Sequence, residues 1–294
     1  MSPAAHPCAP STLVEPLILG PRRWARVVGV AGQAVYLLPY ESELAHADGH
    51  PHAAIPTAPA GNPPSRPTPF ALVAHTGVRV PAAVVLGAGA GERPFAALGS
   101  GTVARIGGGR VELGPLRLTA GVSWAPPRVQ ATPAAEALRV LAHLTPPREL
   151  TPDIAPLAAR LTERARQDVS GSDRTLYDAA GALLGRGPGL TPSGDDILCG
   201  LLLAANSTLP RPRWFPALLT ATALAHRRTT LVSASLLTHA AAGHCIPEVA
   251  ALLHAAASSG EIPTTHLAAL LSVGHTSGSD LLHGLCAGAR LLHL

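Results

Sequence analysis

GPGLTPSGDDILCGLLLAAN, residues 187–206, divides into two parts of opposite character. The first crowds Gly, Pro, Thr and Ser around an adjacent pair of carboxylates, Asp195 and Asp196; the second runs apolar to Asn206. Gly and Pro break regular structure, and Ser or Thr before an apolar run marks a helix start. The stretch therefore reads as a sharp loop opening into a buried helix.

SGDDILCGLL (193–202) aligns without gaps with SGSDLLHGLC (277–286). Ser, Gly, Asp, an aliphatic residue, Leu, Gly and Leu recur in the second copy. Ten residues are too few to establish duplication, but they predict two helices with one entry geometry, related by a pseudo-two-fold axis. From Gly185 onward the acids are Asp195, Asp196, Glu248, Glu261 and Asp280, and three of these five sit in the twin motifs.

Two explanations compete for these carboxylates. Ser-x-x-Asp is a capping box, with Ser capping the helix and Asp at the third helical position answering back. Ser193/Asp196 and Ser277/Asp280 both fit it. Thr191-Pro192 also fits an N-cap followed by Pro at the first helical position, which sets Asp196 deeper. Neither version needs Asp195. The functional explanation is a ligand site at the helix entrance. Gly187, Gly189 and Leu190 offer backbone N–H groups to an anion, and Thr191, Ser193, Thr276 and Ser277 offer hydroxyls. Carboxylates beside such a site suit a cation, an N–H-rich ligand group, or work as bases.

Around this motif the chain changes period. Residues 133–294 show apolar residues at helical spacing, in AAEALRVLAHL, DIAPLAARLTERARQ, RTLYDAAGALL, WFPALLTATALAHR and later segments. They predict an all-helical domain of seven to nine helices, with TPPRELTPD (145–153) as a Pro-rich connector. Residues 1–132 are expected to form a β-rich domain, with strands beginning near residue 24. WARVVGVAGQAVYLLPY reads as a hairpin, and short Val- and Leu-rich runs separated by Gly favour a small antiparallel sheet or barrel. The expected class is α+β: a β-rich, barrel-like N-terminal domain followed by an all-helical C-terminal one. A Pro-, Ala- and His-rich loop spans 42–69; His46, His50 and His52 lack accompanying Cys or carboxylate ligands and read as a solvated loop.

Composition removes several function classes. All 22 Lys+Arg residues are Arg. No phosphate-loop Lys, kinase Lys or Schiff-base Lys is available. Anions must be met by Arg, by backbone N–H groups or by a metal. The net charge of +4 is spread without a basic, aromatic-rich cluster, so no nucleic-acid partner is expected. No apolar run is long enough to span a membrane, and MSPAAHPCAPSTLVEP lacks a signal-peptide pattern. Cys8, Cys199, Cys245 and Cys286 show no metal or disulfide spacing and read as buried thiols of a cytoplasmic protein.

HRRTTLVSASLLTHA (226–240) places Arg227 and Arg228 before Thr229, Thr230, Ser233 and Ser235 on an expected helix. The hydroxyls either bond backbone carbonyls at a tight contact or line a polar pocket with one of the Arg residues. His239 reads as a satisfied polar residue. His275, which directly precedes the second motif, is the better catalytic candidate.

GRGPGLTPSGDDILCGLLLA (185–204), TTLVSASLLTHAAAG (229–243) and SVGHTSGSDLLHGL (272–285) together resemble a bacterial family long labelled a domain of unknown function, the smaller subunit of oxamate carbamoyltransferase. The resemblance covers about residues 185–290, whereas the first 130 residues match only as a loosely similar β-rich region. It implies a subunit of a multi-subunit complex that converts oxalurate and phosphate to oxamate and carbamoyl phosphate in allantoin degradation, or a homologue serving a related carbamoyl-group transfer. It also implies other carbamoyltransferase subunits as partners and a ureido compound as substrate. On this reading Asp195, Asp196 and Asp280 orient ureido N–H groups or hold Mg²⁺, and Arg227 or Arg228 neutralises the anion. The chain lacks the Ser-Thr-Arg-Thr run of aspartate and ornithine carbamoyltransferases, so a shared mechanism with them is not implied. Two alternatives stand beside it: a non-catalytic assembly subunit whose Gly-marked helices are packing or docking elements, and a metal-dependent hydrolase using the three Asp residues.

Overall fold

The computed structural model describes residues 5–40, 68–91, 93–129, 131–167 and 174–292. His46, His50 and His52 lie outside the described residues.

Eight strands form a closed barrel: β1 (His6–Pro10), β2 (Arg23–Ala31), β3 (Ala34–Tyr40), β4 (Phe70–Val73), β5 (Ala83–Leu86), β6 (Val103–Gly107), β7 (Arg110–Leu113) and β8 (Leu116–Ala120), in the order β1-β5-β4-β3-β2-β6-β7-β8. The expected hairpin is β2–β3, antiparallel, with Ala31 opposite Ala34 across Gly32-Gln33. β3 alternates buried and half-buried residues, the period-2 signature of a strand with one face in a core. Val27, Val35, Leu37, Leu72, Val84, Ile106 and Leu118 are among that core. The barrel is not wholly antiparallel: β4–β5 and β1–β8 pair in parallel.

The β-structure also starts earlier than residue 24. β1 carries Pro7 and Pro10, which argue against a strand because they lack an N–H. Here the neighbours do the donating. The Pro7 carbonyl accepts from Gly87 (2.9 Å) and the Cys8 carbonyl from Gly121 (2.8 Å), bonds that a proline leaves intact. A short helix, α1 (Glu15–Leu19), packs against β6 and β7.

The remaining helices are α2 (Ala131–His143), α3 (Ala155–Gln167), α4 (Arg174–Leu183), α5 (Ser193–Asn206), α6 (Phe215–Ala223), α7 (Leu231–Ala241), α8 (Pro247–Ser259), α9 (Thr264–Leu271) and α10 (Ser277–Leu292). Contacts divide the chain into two compact units, Met1–Gly77 with Ala82–Ala125, and Val78–Pro81 with Pro126–Leu294. All four cysteines are buried and unpaired, as expected.

α5 is the axis of the helical unit. Every residue from Ser193 to Asn206 is buried, which explains why it is apolar on all faces. Its most extensive partner is α10, the helix of the second motif. Gly200 and Gly284 face each other there. A Cβ on Gly200 would enter the Leu281 carbonyl and come within 2.6 Å of the Leu285 nitrogen; one on Gly284 would enter the Ile197 carbonyl. One turn on, a Cβ on Gly288 would collide with that of Ala204. Gly200 with Gly284 and Ala204 with Gly288 are equivalent pairs, and the Gly200–Leu281 and Gly284–Ile197 contacts are reciprocal, so the helices run parallel and are related by a local two-fold.

The preceding turns repeat as well. The Gly194 N–H donates to the Arg186 carbonyl (2.9 Å), and the Arg186 N–H donates to the last-turn carbonyl of α4, Leu183 (3.0 Å). In the second copy Gly278 donates to Val273 (3.0 Å) and Val273 to Leu270 of α9 (3.1 Å). A side chain on Gly194 or Gly278 would collide with those same Leu carbonyls. The repeat therefore extends to the helix pairs α4–α5 and α9–α10, the span from Leu183 to Gly194 being three residues longer than that from Leu270 to Gly278.

Gly200→Ala and Gly284→Ala should each destabilise the protein by about 1–3 kcal/mol, the cost of forcing a methyl into a closed helix contact. Gly99→Ala, where an added Cβ meets nothing within 4 Å, should stay within about 0.5 kcal/mol. Urea-unfolding midpoints of the three variants test this.

Candidate functional site

The entrance of α5 follows neither capping scheme. The N-cap is Pro192, and Ser193 is the first helical residue. Asp195 thus occupies the third position and Asp196 the fourth. Pro192 offers no side-chain cap, but its carbonyl accepts from Asp195 (2.9 Å) and Asp196 (3.2 Å). In α10, Ser277 is again the first helical residue, and the Asp280 N–H bonds the Thr276 carbonyl (2.9 Å). Asp196 and Asp280 therefore sit one turn before Gly200 and Gly284. Residues four apart share a helix face, so both carboxyls project into the seam between α5 and α10.

Both are nearly excluded from solvent, each with a relative exposure of 6%. Among the described residues, Oδ2 of Asp196 and Oδ2 of Asp280 have no hydrogen-bond partner. Burial pushes the Asp196 carboxyl well above the ordinary range; the Ser277 hydroxyl bonded to it opposes this, and the charges of Asp280 and Asp195 add to it. Two helix N-termini favour an anion by about 0.3–1 kcal/mol each, whereas effective desolvation of a buried carboxylate costs several kcal/mol. Burial is the larger effect, and it raises the Asp196 carboxyl.

Asp195 has another role. Its exposure is 0%. One carboxylate oxygen accepts the Gly185 N–H (2.9 Å) and the other accepts the Thr229 hydroxyl. The Ser233 hydroxyl bonds it as well. Asp195 fastens the start of α5 to the preceding loop and to the approach to α7. Its carboxyl is still raised, because desolvation exceeds these bonds. The expected three-carboxylate set is therefore not assembled: Asp195 is committed to protein donors, and only Asp196 and Asp280 share the seam. No cluster of three or more His, Cys, Asp or Glu that could hold a metal ion occurs among the described residues.

The Thr/Ser-rich stretch clasps this region instead of lining a pocket with Arg. Thr229 and Thr230 precede the helix; Thr230 caps α7 by accepting the Ser233 N–H (3.0 Å) and donates to the Leu190 carbonyl (2.5 Å). Arg227 and Arg228 are exposed, Arg227 lying in a 3-10 turn (Ala225–Arg227). The Arg228 guanidinium lies over Gly181 of α4, and its backbone carbonyl occupies the place a Gly185 side chain would need. Among the described residues, no guanidinium stands among the main influences on Asp196. The structure thus does not bring Arg227 or Arg228 to the seam.

The loop between Gly185 and Pro192 is tied at its ends and open between them. Gly185, Gly187 and Gly189 have positive φ (73°, 112° and 88°). That conformation suits residues without a Cβ. The N–H groups of Gly187, Gly189 and Leu190 enter no backbone hydrogen bond among the described residues. The Thr191 hydroxyl reaches across to the Ser277 hydroxyl (2.9 Å), joining the two entrances. Ser193 is buried at the first turn of α5, against Gly187. Thr276 is half-buried. His275 is exposed in the turn before α10, where its carbonyl accepts from Arg148 (3.0 Å).

Two features escaped the sequence reading. Ser279 occupies in α10 the place that Asp195 has in α5; it is 4% exposed and its hydroxyl has no partner among the described residues. The signal was present, since the third motif position is Asp in one copy and Ser in the other. His239, expected as a satisfied residue, has an unpartnered Nε2, and its pKa is lowered to about 4 by burial and then by His244.

The helix pair, its loop and the α7 clasp all fall inside one matched segment. Residues 183–289 match the family model of oxamate carbamoyltransferase subunit AllH. The match spans the residues of all three motifs, and the resemblance to an oxamate carbamoyltransferase subunit holds over that segment. No solved structure matches the chain. No described helix is long and apolar enough to cross a membrane.

A carboxyl whose folded-state pKa lies above its unfolded value stabilises the fold below the unfolded value, and that contribution is lost as pH rises through the folded one. Asp196→Asn should therefore be more stable than the parent at pH 7, with the difference vanishing below about pH 4, where an unfolded Asp is protonated. Asp195→Ala should be less stable at every pH, by about 1–3 kcal/mol, because it strands the Gly185 N–H and the Thr229 hydroxyl. Urea unfolding from pH 4 to 8 checks both signs.

Proposed function

We propose that the chain is a substrate-binding subunit of an oxamate carbamoyltransferase-type complex, acting on oxalurate and phosphate to give oxamate and carbamoyl phosphate, with other carbamoyltransferase subunits as partners. The carrying observation is the coincidence of the AllH match with a seam that holds two buried, incompletely bonded carboxyls at paired helix N-termini. Packing accounts for Gly200 and Gly284 and structural bonding accounts for Asp195. Neither accounts for Asp196 and Asp280, each of which keeps a buried carboxyl oxygen without a partner among the described residues.

The chemistry matches a small ligand with an N–H face and an anionic face. Oxalurate joins a ureido group to a carboxylate. Its N–H groups suit Asp196 and Asp280. Its carboxylate, or phosphate, suits the amides of Gly187, Gly189 and Leu190 and the hydroxyls of Thr191 and Ser277. With no Arg at the seam, this anion is met by backbone N–H groups and helix dipoles. Catalysis would then rest on positioning and electrostatic stabilisation.

Reconstitution with the neighbouring subunits is the test. The expected result is phosphate-dependent release of oxamate that requires this chain, with saturable binding of oxalurate or phosphate by the isolated chain in calorimetry. Tight subunit association without ligand binding by this chain would make it a non-catalytic assembly subunit instead.

A further inference from the structure

We propose that Asp196 is the general acid of the transfer, delivering a proton to the amide nitrogen that leaves when the carbamoyl group departs, with Asp280 of α10, the other buried carboxyl of the seam, as its positioning residue. This rests on the carbamoyl-transfer reading above and adds a role that binding alone does not require.

The geometry comes first. Asp196 projects from the fourth position of α5 into the seam and is 6% exposed, with one carboxyl oxygen unpartnered among the described residues. Its neighbours fix its state. Asp280 faces it from α10 and Asp195 adds charge from its own helix, while Ser277 is bonded to it. From the α7 side, the hydroxyls of Thr229 and Ser233 are committed to Asp195. From α4, the Leu183 carbonyl meets Gly194. Cys199, one turn further along α5, is a buried thiol pushed well above its ordinary range. Among the described residues, no positive group stands among the main influences on Asp196. A buried carboxyl raised well above its ordinary range, with an oxygen left over and a second carboxyl beside it, is the pattern of a general acid.

The reaction needs such a group. A phosphate oxygen attacks the ureido carbonyl carbon, forming the new C–O bond. The C–N bond to the oxamate nitrogen then breaks, and its electron pair goes to that nitrogen. An amide anion is a poor leaving group, so the nitrogen takes the proton of Asp196 as the bond breaks. The proton given up by hydrogen phosphate restores Asp196. In reverse, ionised Asp196 removes a proton from the oxamate amide as it attacks carbamoyl phosphate.

The experiment uses the reconstituted complex. Asp196→Asn is near-isosteric and, by the stability argument above, should fold; its melting curve serves as the control. It should lower kcat by about 10²–10⁴-fold with KM little changed. A ureido substrate with a more acidic leaving amide should lose less, because it needs less proton transfer. Asp280→Asn removes a charge that holds the proton on Asp196, so the alkaline fall of kcat should move to lower pH. A wild-type complex without turnover overturns the carbamoyl-transfer reading, and this proposal with it. A wild-type complex that turns over while Asp196→Asn stays within threefold overturns the assignment to Asp196 alone. So does an equal loss on both substrates. An unshifted alkaline limb in Asp280→Asn removes the role given to Asp280.

Discussion

The contact of Gly200 with Gly284 sets the distance between α5 and α10, and the rest of the helical unit depends on that distance. Any side chain at either position would strike the backbone of the opposite helix. Two parallel helices with their N-termini at one end are not favoured electrostatically, because like dipole ends lie side by side. Close packing of a fully buried helix overcomes this. Burial of a Leu-sized side chain contributes about 1.5–3 kcal/mol, and α5 buries five Leu or Ile side chains. The penalty is carried at the helix entrances, where two positive ends and two carboxyls meet.

The local two-fold is preserved in the backbone and broken in the side chains. Both copies use a Gly N–H to bond a turn carbonyl and press that Gly on the end of the previous helix. The differences lie at the third helical position and in loop length. Asp195 spends its carboxylate on Gly185 and Thr229 to hold a longer loop with positive-φ glycines. Ser279 has no such loop to hold. A symmetric scaffold with one elaborated entrance can receive a ligand whose two ends differ.

The sequence revealed the architecture more readily than the chemistry. Hydrophobic period separated the strands from the helices, and the β2–β3 hairpin was legible from its turn. β1 was not, since its prolines argue against a strand, while its Pro7 and Cys8 carbonyls still accept from Gly87 and Gly121. The parallel pairings were also hidden, because a barrel's closure depends on non-local register. At the site, the spacing of the twin motifs disclosed the pair of Asp residues but misplaced their caps by one residue. Pro192 takes the N-cap, which moves Asp195 to the position a capping partner would occupy and sends its carboxylate to Gly185 instead. Arg227 and Arg228 looked available from their position in the chain. Only the fold shows one guanidinium laid over α4 and neither among the main influences on Asp196.

Asp196 is best understood against Asp195, its neighbour in the chain. Both are buried acids in the first turn of one helix. Asp195 is given donors by Gly185, Thr229 and Ser233 and so becomes a fastening. Asp196 is given one hydroxyl and two nearby negative charges. A chain under pressure only to fold would relieve that arrangement with an amide or an apolar residue, because a raised carboxyl pKa lowers stability at neutral pH. Retaining an acid there is a local conflict between stability and sequence, and such conflicts gather where a site does chemistry. The rotation of about 100° between adjacent helix positions is what lets two consecutive aspartates take these two opposed roles.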